Sequence, residues 1–397
     1  MSATRHFSGV TVTSHEPPPN TSSTAATAGA AEAPAAPSPA CSFSPPIVDL
    51  RSDTVTKPCK RLRAAMSGAL VGDDVYGEDP TVTRLEECVA HLLGKEKGLL
   101  VPRHVRTDGT MGNLIAVGAH CRRGDEIILG DKSHIFKYEG TGASAFMGVS
   151  YHTIRNNPED AGLDVDDIEA AVRADDPHYP RSSLLCLENT QNLCGARAIG
   201  PRRMAEMCAA ARGAGLKVHV DGARLWNAAI SLEVRPSGLV PDADSVSVCL
   251  SKGLGAPLGS VLVGSEEFIY KARLMLKALG GGMRQAGVIA SAGLEAVVNN
   301  YNRLAEDHEN AEVLAKGLGA LPGIQAERPP GSTNAVYFQV TGMDAQTFVD
   351  TLKREYGVLM GSGYFGGSTI RAMTHLDVNR EGVERVLEAA RMVLAEA

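Results

Sequence analysis

A chain of 397 residues, 44% hydrophobic and 21% charged, is long enough for one large or two moderate domains with a substantial core. Its formal net charge of −7 argues against a general nucleic-acid binder, and no strongly apolar run is long enough to predict a membrane-spanning helix. The cysteines (Cys41, Cys59, Cys88, Cys121, Cys186, Cys194, Cys208 and Cys249) are scattered without Cys-x-x-Cys spacing. That reads as reduced thiols in a cytoplasmic setting, with neither a disulfide framework nor a zinc site, and no metal is expected.

Residues 1–46 are rich in Ala, Pro, Ser and Thr and show no periodic apolar pattern, which predicts a disordered extension. Arg5 and the hydroxyl residues suit a mitochondrial presequence as the alternative location; Glu16, Glu32 and the prolines suit it poorly. Order is expected from Ile47. A turn-rich stretch over 72–80 leads into an amphipathic helix from Thr81 to Leu93. Strands are then predicted at 98–102, 126–130, 147–153, 183–188, 216–221, 244–250 and 259–264. Helices at 110–121, 164–175, 200–213 and 265–279 alternate with them. Such alternation predicts an α/β fold with a mostly parallel sheet covered by helices. The glycine break Gly280-Gly281-Gly282 precedes one long helix over 284–318, then strand 333–340, helix 345–355, strand 368–373 and helix 379–395. A large domain over 47–290 and a smaller α+β domain over 291–397 follow.

Chemistry concentrates at the predicted strand ends. Asp221 closes one β-branched run and Lys252 follows another, and in a parallel sheet ligands bind outside the carboxyl ends of the strands. An amine and a carboxylate in one crevice are what pyridoxal 5'-phosphate (PLP) requires: a lysine for a Schiff base and an acid to keep the pyridine nitrogen protonated. A helix-capping Asp and an exposed Lys would read the same way. Gly109 and Thr110, before a helix, are either a phosphate loop or a simple cap. His134 lies at the next strand edge, where it could cover an aromatic cofactor or sit in a surface loop. The stretch 187–192, with Gln191, puts polar groups where a substrate hydroxyl could be held. Arg224, just after Asp221, offers a guanidinium for the cofactor's phenolic oxygen or for a substrate carboxylate, and Arg371 one suited to a carboxylate; either could instead serve a structural ion pair.

Together these elements resemble the threonine aldolases of the aspartate-aminotransferase-like superfamily, from residue 47 to the C-terminus. The specific stretches are Asp49-Leu50-Arg51-Ser52-Asp53-Thr54-Val55-Thr56, Asp73-Asp74-Val75-Tyr76-Gly77-Glu78-Asp79-Pro80, Asp221-Gly222-Ala223-Arg224, Ser251-Lys252-Gly253-Leu254-Gly255-Ala256-Pro257 and Leu279-Gly280-Gly281-Gly282-Met283-Arg284-Gln285. The resemblance implies a PLP-dependent transferase fold (fold type I) and retro-aldol cleavage of L-threonine and L-allo-threonine to glycine and acetaldehyde. It implies that Lys252 carries the cofactor, Asp221 pairs with the pyridinium nitrogen, His134 stacks on the ring, and Gly109 with Thr110 binds the phosphate. Ser52, Arg224 and Arg371 would hold the substrate carboxylate and neighbouring oxygens. Lys277 and Arg284 would reach a neighbouring subunit's site in a homotetramer; no nucleic-acid or membrane partner is expected.

Two departures stand out. Gln191 occupies a position where the family usually has His, and an amide is a poor proton acceptor. The passage Arg103–Asp108 lengthens the phosphate loop and sets Asp108 beside it, with Arg103 and Arg106 upstream to offset its charge. The competing expectations are a related β-eliminating lyase acting on another amino acid, and a catalytically weak PLP-fold scaffold subunit.

Overall fold

The computed structural model describes residues 3–7, 10–14, 46–102, 109–364 and 367–396. In chain order the strands are β1 (Ala3–Phe7), β2 (Val10–Ser14), β3 (Val48–Asp49), β4 (Lys97–Val101), β5 (Glu126–Gly130), β6 (Ser150–Ile154), β7 (Ser182–Glu188), β8 (Lys217–Gly222), β9 (Ser245–Cys249) and β10 (Ser260–Gly264). They continue with β11 (Ile324–Glu327), β12 (Ala335–Val340), β13 (Val358–Leu359), β14 (Gly361–Tyr364) and β15 (Thr369–Met373). The helices are α1 (Lys60–Ser67), α2 (Pro80–Leu92), α3 (Thr110–His120), α4 (His134–Lys137), α5 (Val165–Ala171), α6 (Pro201–Gly213), α7 (Leu225–Ser231) and α8 (Glu266–Ala278). In the second half come α9 (Gly287–Asn300), α10 (Leu304–Gly319), α11 (Ala345–Tyr356) and α12 (Arg380–Ala395).

The seven-stranded sheet runs β4-β10-β9-β8-β7-β5-β6. Strands β9, β8, β7, β5 and β6 are mutually parallel, and β10 is antiparallel to both its neighbours. This is the mostly parallel α/β arrangement that the alternation predicts. Ile127, Ile128 and Leu129 of β5 are wholly buried on both faces, each contributing about 1.5–3 kcal/mol, which holds that strand inside the sheet and under helices. The carboxyl ends of β5, β7, β8 and β9 share one edge, and β4 ends there too, because Val101 and Cys249 both face Ser260.

A four-stranded antiparallel sheet, β11-β12-β15-β14, carries the smaller domain with α10, α11 and α12. Val48 and Leu50 are buried in that second core, and β3 pairs with β13. Strand β3 is therefore sewn to the C-terminal domain before the chain enters the large one. The boundary expected at 290 falls inside α9, which packs against α1 and α2 of the large domain.

Several expected elements change length for identifiable reasons. The long helix over 284–318 is two helices, broken at Tyr301–Arg303 after a run of weak helix formers, where the Asn300 amide turns to the Leu254 carbonyl (2.7 Å). Helix 164–175 stops at Ala171, and the Arg173 N–H is taken by the Ser182 hydroxyl. The strand expected at 147–153 begins only at Ser150, because Ala143–Met147 is helical and Gly148 turns the chain at φ +69°. Within the N-terminal extension, expected to lack order, β1 and β2 form an antiparallel hairpin; the rest of residues 1–45 lies outside the described residues.

Asp79 fastens the start of the large domain. Its Oδ1 accepts from the Thr81 and Val82 N–H groups as the cap of α2, and its Oδ2 accepts from Gly72 (3.2 Å) and from Gly287 (2.8 Å). Four donors on one buried carboxylate tie α2, the preceding loop and α9 together. Asp79→Ala is expected to destabilise by about 2 kcal/mol, the sum of a lost cap and orphaned amide donors. Asp79→Asn cannot offer acceptors on both sides and should also lose stability. An unchanged urea midpoint in both variants would refute this account.

Candidate active site

Asp221 ends β8 and is buried; its Oδ1 accepts from the Ala223 N–H (3.1 Å) and its Oδ2 from the Asn113 side-chain amide (2.9 Å). Lys252 stands just past β9, also buried. Its carbonyl is held from both sides, by the Thr56 hydroxyl (3.0 Å) and the Gly255 N–H (2.8 Å), with Gly255 at φ +76° supplying the turn. Among the described residues the Lys252 ammonium has no hydrogen bond or ion pair. An amine buried with its backbone pinned and its head unpartnered is costly for stability and well set for covalent chemistry.

At the same edge Gly109, at φ +83°, turns the chain into α3. The Thr110 hydroxyl oxygen at the helix start is buried without a partner among the described residues, as is the Ser247 hydroxyl of β9. Orphaned hydroxyls and the open N–H groups of a helix N-terminus are suited to a phosphate. Residues 103–108, the lengthened part of this loop with Asp108, lie outside the described residues.

His134 begins α4, and its backbone N–H donates to Glu188 (2.8 Å). Its imidazole Nδ1 is 2.8 Å from Glu139, whose other contact is the Asn113 amide, also at 2.8 Å. Burial opposes a charge on His134, but the Glu139 hydrogen bond and the Asp221 charge outweigh it and raise its pKa. Burial raises the Glu139 carboxyl in turn, against the pull of His134. Glu188 is pushed up by its own burial and by Asp221.

Gln191 is committed elsewhere. Its amide nitrogen donates to the Lys132 carbonyl (2.9 Å) and to Glu188 (3.2 Å), and its oxygen accepts from the Cys194 N–H (2.8 Å). Both amide hydrogens are used, so in this arrangement Gln191 is a buried amide that fixes the turn after β7 and has no free donor for the substrate role expected of it.

The two arginines divide in the same way. Arg224 is wholly enclosed and makes a two-pronged ion pair with Asp53, Nε and Nη2 each at 2.7 Å, so the guanidinium expected to hold a substrate carboxylate already has a carboxylate of its own. The pairing drives Asp53 well below the usual carboxylate range despite complete burial, and raises Arg224 further. Arg371 has no acid partner among the described residues. Its Nη2 reaches the Arg51 carbonyl (3.1 Å), Nη1 reaches the Asn192 oxygen (3.4 Å), Nε is buried without a partner, and the group lies 4.6 Å from the Tyr364 ring centroid. Ser52 caps the short turn after β3 and lies 3.5 Å from Asp53.

Lys277 and Arg284 are exposed, and Arg284 pairs with Asp73 (2.8 Å), so within one chain they stand outside the crevice. Sequence reasoning gave no role of their own to Asp53, Asn113 and Glu139, and took Glu188 and Asn192 only as members of the polar stretch 187–192. Asp53 sits within a stretch already singled out, next to Ser52; a carboxylate beside a candidate anion site was the available signal. Asn113 and Glu139 meet only through folding, from α3 and from the turn after α4.

The chain matches the family described as beta-eliminating lyase over residues 49–341. It is 49% identical over 296 residues to the probable low-specificity L-threonine aldolase 2 of Arabidopsis thaliana, covering 74% of this chain and 82% of that protein. It is 45% identical to the low-specificity L-threonine aldolase 1 of the same plant, over 87% of this chain and 96% of that one. Among solved structures, the Leishmania major threonine aldolase superposes with a TM-score of 0.73 at 21% identity, over 87% of this chain and 99% of the other.

The His134–Glu139 contact gives a signed pH effect. A histidine whose folded pKa is raised contributes stability that is complete below its unfolded value, near 6.5, and is lost as pH rises through the folded value. Glu139→Gln should therefore lower the His134 midpoint in an NMR titration of the imidazole. A midpoint that stays put would show that Glu139 is not the cause.

Proposed function

Because the chain belongs to the threonine aldolases, within the family of beta-eliminating lyases, we infer that its crevice is a retro-aldol site. The protein is a PLP-dependent aldehyde-lyase that cleaves L-threonine and L-allo-threonine at the Cα–Cβ bond, giving glycine and acetaldehyde. Its fold is that of the fold type I PLP enzymes. The observation that carries the site reading is Lys252, a buried amine without an ion pair among the described residues, just past the strand that neighbours the one carrying the enclosed carboxylate of Asp221.

The residues fit the cofactor. Gly109, Thr110 and the start of α3 would receive its phosphate, Asp221 would hold a proton on the pyridine nitrogen, and Lys252 would take its aldehyde carbon. Bound PLP supplies the electron sink for the pair released from the Cα–Cβ bond. The chain's own part is orientation and proton handling. Arg371, the guanidinium without an acid, would clamp the substrate carboxylate two-pronged and so set the Cα–Cβ bond across the ring. Ser52 stands beside that clamp, while Arg224 stiffens it from behind through Asp53. With Gln191 engaged by backbone groups, His134 is the imidazole left to take the β-hydroxyl proton, and its Nε2 has no described partner. A histidine tuned by a neighbouring acid is suited to both taking and returning a proton near neutral pH.

Assembly of several copies, with Lys277 and Arg284 reaching across to a neighbour, extends this reading to a homotetramer. It is supported by a surface strip in which Leu70 (74% exposed), Tyr76 (75%), Tyr270 (68%) and Leu274 (54%) lie bare, with Arg273 of the same helix within 4.0 Å of Asp74. The described cysteines are all unbridged, which supports a reducing compartment such as the cytosol.

Lys252→Ala should remove both the visible absorbance of bound PLP and acetaldehyde release from either threonine diastereomer; normal turnover in that variant would sink the scheme. Wild-type protein releasing ammonia and a keto acid, with no acetaldehyde, would instead favour β-elimination. For assembly, Tyr76→Glu with Leu274→Glu should shift the sedimentation coefficient to a smaller species, and an unchanged value would exclude this strip from the interface.

A further inference from the structure

The carboxylate assigned to the pyridine nitrogen is the end of a hydrogen-bonded series that crosses the large domain. Asn113 Nδ2 gives its two hydrogens to Asp221 (2.9 Å) and Glu139 (2.8 Å). Its Oδ1 must then accept, so the His219 Nε2 at 3.1 Å carries a hydrogen. A neutral imidazole protonated at Nε2 leaves Nδ1 as an acceptor, and the Ser245 hydroxyl, 2.9 Å away on the adjacent strand, donates to it. That hydroxyl oxygen in turn receives His120 Nε2–H at 2.8 Å.

With the Asn113 amide turned to the two carboxylates, this order satisfies every link; the Ser245 backbone, also within reach of His219, is the acceptor that an Nδ1–H tautomer would use instead. Burial lowers His219 to about 4 and His120 to about 3, so neither carries a charge near neutral pH that would scramble this order. Asn113 and His120 lie two turns apart on one face of α3. The helix comes close enough to β9 because Gly112 has no side chain; a Cβ there would lie 2.5 Å from the Ser247 hydroxyl. The far end, His120, stacks on Phe268 (4.5 Å between centroids) and lines a cavity of about 310 Å³ whose charged residues are Lys95, Glu96, Lys217, Asp244, Glu267 and Lys271.

We propose that His219, Ser245 and His120 are positioning residues, which lock the Asn113 amide with both N–H bonds toward Asp221 and Glu139 and thereby hold the Asp221 carboxyl group aimed at the pyridine nitrogen. The proposal rests on the PLP reading of Asp221 for its consequence, although the proton order itself belongs to the protein alone. An apolar side chain at 219 leaves Asn113 Oδ1 buried without a donor and lets the amide turn. His219→Gln keeps an N–H at the same reach.

Two measurements test it. Imidazole ¹⁵N shifts of the apo protein should show His219, assigned by its loss in His219→Gln, as the neutral Nε2–H form with no titration between about pH 5 and 8. An Nδ1–H or charged His219 would overturn the proposal, whether or not PLP binds. PLP dissociation from the folded protein should be about tenfold weaker in His219→Leu, near wild type in His219→Gln, and no weaker in His219→Leu with Asn113→Ala than in Asn113→Ala alone. Equal losses in the two His219 variants, or additive losses with Asn113→Ala, would reduce the series to ordinary packing. Ser245→Ala, which removes only a hydroxyl, gives the same comparison should His219→Leu not fold, and unchanged PLP affinity there would count against the proposal. Failure of wild-type protein to bind PLP would overturn the cofactor reading and leave the tautomer result standing.

Discussion

The buried ion pair between Asp53 and Arg224 is the constraint on which the site depends. Asp53 follows the strand sewn into the C-terminal domain, and Arg224 follows Asp221 at the end of β8 in the large domain. Asn334, at the start of the small-domain sheet, adds a donor to the same carboxylate (3.2 Å). Neither charge could be buried alone, since removing one partner of an enclosed pair typically costs about 3–5 kcal/mol. The pair therefore fixes one of the contacts between the two domains, beside others such as Ala198 N–H to Gly331 and the Tyr337 hydroxyl to the Asn192 carbonyl.

That pairing also decides which cations stay available. Arg224 is consumed by Asp53, leaving Arg371 and Lys252 as enclosed cations without an acid partner among the described residues. A site built to receive a carboxylate and a carbonyl needs such groups, and the protein meets the cost of their burial with bonds elsewhere. The side of the site facing the large domain has the opposite character: carboxylates of Asp221, Glu139 and Glu188 surround one histidine. Cations on the substrate side and acids on the ring side give the crevice a direction.

Much of this was legible in the sequence. The strand ends carrying Asp221 and Lys252 follow from β-branched runs with polar stops, and the observed strands differ from the expected ones by a residue or two at most ends. The antiparallel β10 was not legible, because a buried run looks the same in either direction. Nor was the break between α9 and α10, where helical periodicity continues through an asparagine-rich stretch that tertiary contacts then interrupt. In the site, the reading of isolated residue types fared worst where two candidates compete for one partner. Arg224 and Arg371 look equivalent as residues, and only folding reveals that Asp53 takes the first. Gln191 likewise looked free to meet a substrate until the Lys132 carbonyl and the Cys194 amide were found on its two ends.

Arg371, the arginine without an acid partner among the described residues, would receive the substrate carboxylate while Arg224 braces the domains. The decisive measurement is the Michaelis constant for L-threonine of Arg371→Leu, taken alongside its thermal midpoint. KM should rise by about tenfold or more, from the loss of a two-pronged charged contact, with the midpoint close to wild type. An unchanged KM, or a variant that loses its fold and shows no separate effect on substrate, would contradict it.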